Sequence, residues 1–216
     1  MTATVSLKLL DTRIARLTFS NPSQRNALSA QLLDSLDESL VALAAQRVGV
    51  VILGADVGQS VWSAGHDIGE VARDRDPVAY GKPLEQVLRR IRAYPGVVIA
   101  LISGSAWGGA VDLAMSCDLV VADPSASFAM TPANIGLPYT TSGLLRFFNN
   151  LPIHVLKEMF FCAQKRAQRA KTKAKQNRTQ RAVASKPDAF AGDGVLQSRT
   201  TPAGVSSSQP RRLPGK

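Results

Sequence analysis

Three short apolar runs, separated by helical patterns, most constrain the fold of this chain. They predict strands that are covered on both faces, over residues 48–53, 97–102 and 119–122. Apolar residues at three- and four-residue spacing predict helices over residues 30–45, 83–93, 108–116 and 152–162. Strands that alternate with helices in this way predict a layered α/β domain.

The N-terminal segment predicts two further strands, because apolar and polar residues alternate over residues 5–9 and 15–19. Ser29 precedes the first helical pattern and is its predicted N-cap. The charged residues 69–82 predict an irregular segment, and residues 128–139, which include two prolines, predict a loop.

Positive charge is concentrated at the C-terminal end of the chain. The whole sequence has 26 Lys or Arg and 16 Asp or Glu, for a net charge of +10. Residues 165–216 contain 13 of these basic residues and two acidic ones, or +11, which leaves −1 for residues 1–164. Residues 165–181 contain no large apolar side chain. We therefore expect 165–216 to be a basic, low-complexity, mostly disordered tail on a folded core of residues 1–164.

The two cysteines and the N-terminal residues indicate the cellular compartment of the protein. Cys117 and Cys162 lie in apolar helical contexts without metal or redox spacing, so we expect buried, reduced thiols. The first 20 residues lack the order of a signal peptide, and no apolar run approaches the length of a membrane span. These features predict a cytoplasmic protein.

Two glycine-bearing segments, residues 60–68 and 103–111, each follow a predicted strand. Two tight turns whose backbone N–H groups point at one atom are the requirement of an oxyanion hole. Glycine allows a ligand to approach such amides closely. The Gly108-Gly109 pair alone more often marks a close strand–helix contact, so the prediction of a site depends on the presence of both turns.

The sequences of these turns, WSAGHDI at residues 62–68 and GSAWGGA at residues 104–110, resemble the crotonase (enoyl-CoA hydratase/isomerase) superfamily. The resemblance covers residues 5–164. It implies a crotonase-like α/β core built as a spiral of ββα units. It also implies a coenzyme A thioester as substrate, no metal or separate cofactor, and a homo-oligomer, either a trimer or a hexamer.

Within the superfamily, residues 63–68, 75–77, 107–110 and 128–139 resemble the methylmalonyl-CoA decarboxylase branch. This resemblance implies that the N–H groups of His66 and Gly109 are the oxyanion donors, without a role for the imidazole. It implies that Tyr139 binds the substrate carboxylate; a half-buried core tyrosine is the alternative. The implied substrate contacts are Arg25, Ala27, Ala64, Gly65, Asp67, Ile68, Gly108 and Thr131.

The carboxylates separate the possible reactions. Hydratases of the superfamily use two glutamates to move water and a proton across a double bond. At the matching positions this chain has Asp112, which is shorter by a methylene, and Pro132, which has no acid–base function. Decarboxylation of a malonyl-type thioester leaves an enolate that an oxyanion hole stabilises, and it needs no strong base. The resemblance therefore favours conversion of methylmalonyl-CoA to propionyl-CoA.

The resemblance stops near residue 164. Relatives continue with helices that close the pocket and build the trimer, whereas here the basic tail follows. We expect a shifted reading frame after codon 164, a weakened oligomer, and low or absent activity of the chain as written.

Two other functions stay open from the sequence. One is hydratase or isomerase activity on an acyl-CoA, which Pro132 opposes. The other is a non-catalytic acyl-CoA-binding module whose basic tail contacts RNA or an anionic membrane without sequence specificity.

Overall fold

Nine strands and six α-helices follow one another in the part of the chain that this computed structural model describes, residues 3–56, 60–71, 82–137 and 139–167. The strands are β1 (Thr4–Asp11), β2 (Ile14–Ser20), β3 (Val50–Ala55), β4 (Val61–Ser63), β5 (Val97–Ile102), β6 (Ser105–Trp107), β7 (Leu119–Ala122), β8 (Ser127–Ala129) and β9 (Arg166–Ala167). The helices are α1 (Ala30–Ala45), α2 (Ile68–Val71), α3 (Lys82–Arg92), α4 (Gly109–Met115), α5 (Thr141–Asn150) and α6 (Ile153–Cys162).

The strands form two sheets. The larger sheet has the order β1-β2-β3-β5-β7, with β1 antiparallel to β2 and the remaining pairs parallel. The smaller sheet has the order β4-β6-β8-β9, and its first three strands are parallel. Each of the pairs β3/β4, β5/β6 and β7/β8 therefore contributes one strand to each sheet. This repetition confirms the predicted spiral of ββα units.

The core lies between one face of the larger sheet and the helices α1 and α3. Alternation along β2 buries Ala15, Leu17 and Phe19 completely, as the sequence pattern predicts. α1 begins and ends where its leucine spacing indicates. Its N-cap is Ser29, whose Oγ accepts a hydrogen bond of 3.3 Å from the N–H of Leu32.

The prediction that the strands of the larger sheet are covered on both faces is wrong for β5 and β7, whereas β3 has no exposed residue. In β5, Val98 and Ala100 are fully buried, but Leu101 on the opposite face is 37% exposed. In β7, Leu119 and Val121 are 54% and 50% exposed. The helices in the described part of the chain pack on one face of the sheet. An apolar strand can be covered on both faces, but its sequence does not show whether another segment of the chain covers the second face.

Several short elements were not predicted. The strands β4, β6 and β8 have three residues each, too few for a period to emerge. Helix α5 was also missed, because its polar residues interrupt the apolar pattern. It begins after Thr140, whose hydroxyl accepts a hydrogen bond of 3.2 Å from the N–H of Gly143.

The two cysteines differ from each other. Cys117 is half-buried and free, its Sγ donates to the carbonyl of Leu113, and burial raises its pKa to about 12, assisted by the negative charge of Asp118. Cys162 is also free but exposed, so the prediction of a buried thiol is wrong there. It is the last residue of α6, where the helix ends.

Some predictions fall on residues that lie outside the described ranges. These are most of the charged segment 69–82, Pro138, and the tail beyond residue 167. The first residues of the predicted tail are described, and Arg166–Ala167 forms β9 against β8. Within the described residues, none of the helices is long and apolar enough to cross a membrane.

Candidate active site

The two glycine turns lie side by side because they follow neighbouring strands. β4 and β6 are parallel partners, with Ser63 opposite Ala106, so both turns emerge at one end of the smaller sheet. A Cβ atom on Gly65 would lie 2.5 Å from the carbonyl oxygen of Trp107 and 3.2 Å from the nitrogen of Gly109. Gly65 also has a φ of 84°, which favours glycine. The close approach of the two turns therefore requires glycine at this position.

Gly108 directs the second turn. Its φ of 49° and ψ of −116° suit only glycine, and its N–H donates a hydrogen bond of 2.8 Å to the carbonyl of Ala129 at the end of β8. The next residue, Gly109, is the first residue of α4, so its N–H has no acceptor inside that helix. The amide of Gly109 thus combines a donor at a helix N-terminus with the absence of a side chain, as an oxyanion donor requires.

His66 joins the two turns through its side chain. A Cβ atom on Gly109 would lie 2.7 Å from Nδ1 and 3.0 Å from Cε1 of His66, so the imidazole packs directly against Gly109. Burial lowers the pKa of His66 to about 4, although the negative charge of Asp112 opposes this shift. The imidazole is therefore neutral at physiological pH. The sequence interpretation assigned His66 only a backbone role, whereas the structure also gives its ring a packing contact at the site.

The loop before α1 supports the first turn by backbone hydrogen bonds. The N–H of Ala64 donates to the carbonyl of Arg25 at 3.0 Å, and the N–H of Leu28 donates to the carbonyl of Gly65 at 2.7 Å. Arg25 adopts the left-handed conformation with a φ of 53°. The structure therefore brings together the predicted coenzyme A contacts of these two segments.

The exposure of these predicted contacts differs. Arg25 is exposed and Ala27 is buried, so a ligand in this region would meet the backbone rather than the side chain of Ala27. Asp67 follows the first turn, and Ile68 is 66% exposed at the start of α2. An apolar side chain so exposed beside the turn is available to a ligand.

A buried ion-pair network lies one helical turn beyond Gly109. Asp112 on α4 accepts hydrogen bonds of 2.8 Å from both Nε and Nη2 of Arg146 on α5. Arg146 also donates to both carboxylate oxygens of Glu85 on α3, at 3.0 Å and 2.9 Å. Burial opposes the charge of Arg146, but its hydrogen bonds to Asp112 and Glu85 raise its pKa above the ordinary value. The network therefore ties three helices together beside the turns.

Tyr139 belongs to the same network. Its hydroxyl donates a hydrogen bond of 2.6 Å to Oδ2 of Asp112, and its ring makes edge-to-face contacts with Phe147 and Phe160. A Cβ atom on Gly143 would overlap the Tyr139 ring, so the glycine of α5 leaves room for it. The predicted contact with a substrate carboxylate stays a prediction. In this structure the hydroxyl proton is directed to Asp112.

Thr131 and Pro132 follow β8, the strand whose end supports the second turn. Thr131 is half-buried, and Pro132 opens a 3-10 turn over Pro132–Ile135 that Gly136 caps. Proline supplies the fixed φ that suits the start of such a turn, and it has no group that could exchange a proton. Among the described residues, no group of three or more His, Cys, Asp or Glu is arranged to hold a metal ion.

Comparison with protein families matches residues 10–174 to enoyl-CoA hydratase/isomerase. The chain belongs to this family, the crotonases. Methylmalonyl-CoA decarboxylase of Escherichia coli (strain K12) is 39% identical over 152 residues, which are 70% of this chain and 58% of that protein. Human mitochondrial enoyl-CoA hydratase domain-containing protein 3 is 32% identical over 155 residues, or 70% of this chain and 50% of that protein. The chain thus spans between half and three-fifths of the length of these relatives.

Solved structures of crotonases share the fold. The structure of methylmalonyl-CoA decarboxylase in complex with 2-nitronate-propionyl-CoA matches with a TM-score of 0.72 at 35% identity, over 83% of this chain and 65% of that one. Human enoyl-CoA hydratase domain-containing protein 3 matches with a TM-score of 0.69 at 29% identity, over 84% and 77% of the two chains. These similarities confirm the crotonase fold.

Sequence reasoning missed two polar residues beside the site, Glu85 and Arg146. One signal for Arg146 was available. It lies on the buried face of α5 with Gly143 and Phe147, and an arginine within an apolar stripe implies a buried anionic partner. Glu85 offers no such signal, since a glutamate in the first turn of a helix is common on solvent-exposed faces.

Proposed function

We propose that this crotonase acts as an acyl-CoA lyase that decarboxylates a malonyl-type thioester, methylmalonyl-CoA to propionyl-CoA. The observation that carries the proposal is that hydrogen bonds hold both oxygens of the Asp112 carboxylate. Both of its oxygens accept hydrogen bonds from Arg146 or Tyr139, and the second carboxylate position of a hydratase is Pro132. The site therefore offers the proposed oxyanion donors, and the one carboxylate beside them is held by Arg146 and Tyr139.

In the proposed reaction, the thioester oxygen of the substrate accepts hydrogen bonds from the N–H groups of His66 and Gly109. The bond between Cα and the carboxylate carbon breaks, its electron pair forms the enolate, and carbon dioxide leaves. A proton from the solvent then adds to Cα and gives propionyl-CoA. The two amides stabilise the charge that develops on the thioester oxygen, and because they are fixed by the strand–turn geometry, little reorganisation is needed.

Tyr139 has the role of orienting the substrate carboxylate in this proposal. Loss of carbon dioxide is fastest when the breaking bond is perpendicular to the thioester plane, and a hydrogen bond from one fixed hydroxyl can hold that angle. Because the hydroxyl donates to Asp112 in the structure, it must turn toward the substrate carboxylate when the substrate binds. Thr131, half-buried after β8, is proposed as a second hydroxyl that contacts the substrate.

We also propose the cellular setting that the sequence predicts. The enzyme works in the cytoplasm, which suits its two free thiols, and it needs no cofactor besides the coenzyme A of its substrate. The coenzyme A moiety lies along Arg25, Ala27 and Asp67. A homo-oligomer of the crotonase kind is part of this proposal.

The test is a product assay with the full chain. Purified protein is incubated with malonyl-CoA, methylmalonyl-CoA and crotonyl-CoA, and carbon dioxide and the acyl-CoA products are followed by mass spectrometry. Release of carbon dioxide with formation of propionyl-CoA from methylmalonyl-CoA supports the proposal. Hydration of crotonyl-CoA without decarboxylation would replace it with hydratase activity. Because the sequence predicts low activity, the assay is run at high protein concentration, and binding of all three esters without turnover under these conditions would replace the proposal with a binding module.

A further inference from the structure

The ion-pair network around Arg146 is more elaborate than packing of three helices requires. The side chain of Arg146 is 6% exposed, that of Asp112 4%, and that of Glu85 26%. One cation thus faces two carboxylates in a largely buried position, where charges are costly unless they are paired. Four hydrogen bonds join the guanidinium to these carboxylates. Its planar fork therefore determines where both carboxylates point.

The carboxylate of Asp112 lies beside the reaction centre. Asp112 is three residues beyond Gly109 on the short helix that begins at the second turn, and residues three apart lie on one face of a helix. Its negative charge acts on the imidazole of His66, and its Oδ2 accepts the hydrogen bond of Tyr139. A carboxylate one helical turn from Gly109, if it were not held by Arg146, could reach the α-carbon of a thioester bound at the two turns.

We propose that Arg146 is a positioning residue that withholds the Asp112 carboxylate from the α-carbon of the substrate. This inference rests on the proposed function. In a decarboxylase the enolate is formed by loss of carbon dioxide, so a nearby base has no necessary part in the reaction. Arg146 directs both oxygens of Asp112 toward α5 and toward Tyr139. The site then forms an enolate from a malonyl-type thioester, but it does not form one from a saturated acyl-CoA.

Release of Asp112 should therefore create a second activity. With Arg146 replaced by Met, an oxygen of Asp112 can take a proton from Cα of propionyl-CoA, and the electrons of the C–H bond move into the enolate held by His66 and Gly109. In deuterium oxide the resulting carboxylic acid exchanges its proton with solvent and returns a deuteron to Cα. The net change is replacement of hydrogen by deuterium, without oxidation or reduction.

The experiment measures deuterium incorporation into propionyl-CoA in deuterium oxide by mass spectrometry. The unchanged chain should give no more exchange than buffer alone, and Arg146→Met should exceed it by at least about tenfold. The double variant Asp112→Asn/Arg146→Met should return to the level of buffer, because it lacks the base. The inference is overturned if Arg146→Met gives no increase, or if the increase persists in the double variant.

Two further variants separate positioning from folding. Loss of Arg146 leaves the carboxylates of Glu85 and Asp112 without their cation. The double variant Glu85→Gln/Arg146→Met removes the first of these charges, so that exchange can be measured in a chain with less unpaired buried charge. Arg90→Met is the control, because it breaks a comparable ion pair away from the site: Arg90 on α3 bonds Asp37 on α1 at 2.9 Å. This variant should leave exchange at the level of buffer. Propionyl-CoA is the substrate of exchange, so the result stands apart from the decarboxylation assay. Exchange in Arg146→Met while the unchanged chain fails to decarboxylate methylmalonyl-CoA would reject the proposed function alone.

Discussion

Individual glycines determine whether the two turns can form a site. A side chain at Gly65 would overlap the carbonyl of Trp107, and one at Gly109 would overlap the imidazole of His66. Both restrictions come from residues that are 40 or more positions distant in sequence. The spacing of the motifs predicted a pair of turns, but the atoms that exclude a side chain from each glycine became visible only in the folded chain.

Replacement of Gly109 by Ala should remove most activity with a smaller effect on folding. The new Cβ would lie 2.7 Å from Nδ1 of His66, so the ring or the second turn must shift, and the proposed oxyanion donor is displaced. We expect kcat to fall by about 10²- to 10³-fold, measured as carbon dioxide release. Gly49→Ala is the control, because its Cβ would only make ordinary contacts, at 3.4 Å or more, with the Arg13 side chain. Equal losses in both variants would contradict this explanation.

The half-buried imidazole of His66 predicts a dependence of stability on pH. Its pKa in the folded state is about 4, whereas an unfolded histidine titrates near about 6.5. Between these values the unfolded state binds more protons, so the free energy of unfolding is largest above pH ~6.5 and falls as the pH drops toward ~4. The loss from this group amounts to roughly 3 kcal/mol at most.

Urea denaturation at a series of pH values measures this loss. His66→Gln should remove most of the slope between pH ~6.5 and ~4. The chain has two histidines, and the other one, His154, is exposed, so that His154→Gln should retain the slope. A slope that disappears in both variants, or in neither, would show that another group is responsible.

At the scale of elements, helix ends position the residues of the site. The N-terminus of α4 presents the amide of Gly109, and the first turn of α5 packs against Tyr139. α1 holds the opposite side of the core, and its sequence alone gives both of its ends and its buried face. α5 was missed because its contribution comes from a cap, a glycine and a buried arginine rather than from an apolar period.

The cap of α1 gives a direct test of local stabilisation. Ser29→Ala removes the acceptor of the Leu32 N–H, so the free energy of unfolding should fall by about 1 kcal/mol. Ser35→Ala makes the same chemical change in the interior of α1, where it should cost nothing or stabilise slightly. Chemical denaturation compares the two variants, and an equal effect of both would argue against capping as the cause.

At the scale of the whole molecule, the excess positive charge and the candidate site lie in different parts of the chain. Of the 26 basic residues, 11 lie beyond residue 167 together with two acidic ones, so a chain ending at residue 167 has a net charge of +1 instead of +10. The site described above lies within residues 25–146. The charge that could attract a polyanion is therefore not the charge that surrounds the reaction centre.

Removal of residues 168–216 should therefore abolish binding to heparin or RNA at low salt. Binding by the full chain should weaken steeply as salt is raised, because it is dominated by counterion release. The melting temperature of the shortened chain should stay close to that of the full chain, since β9 and the core residues are retained. Retention of polyanion binding after the deletion would place the binding surface on the described domain.

The sequence by itself determined the alternation of strands and helices, the bounds of α1 and β5, and the two glycine turns. These features depend on local periodicity, on capping and on residues adjacent in the chain. Only the tertiary structure decided which strand faces are covered, that the His66 ring packs on Gly109, and that Arg146 joins Asp112 to Glu85. The physical reason is that burial and ion pairing depend on contacts between distant segments. The pattern of any one segment cannot reveal its partner.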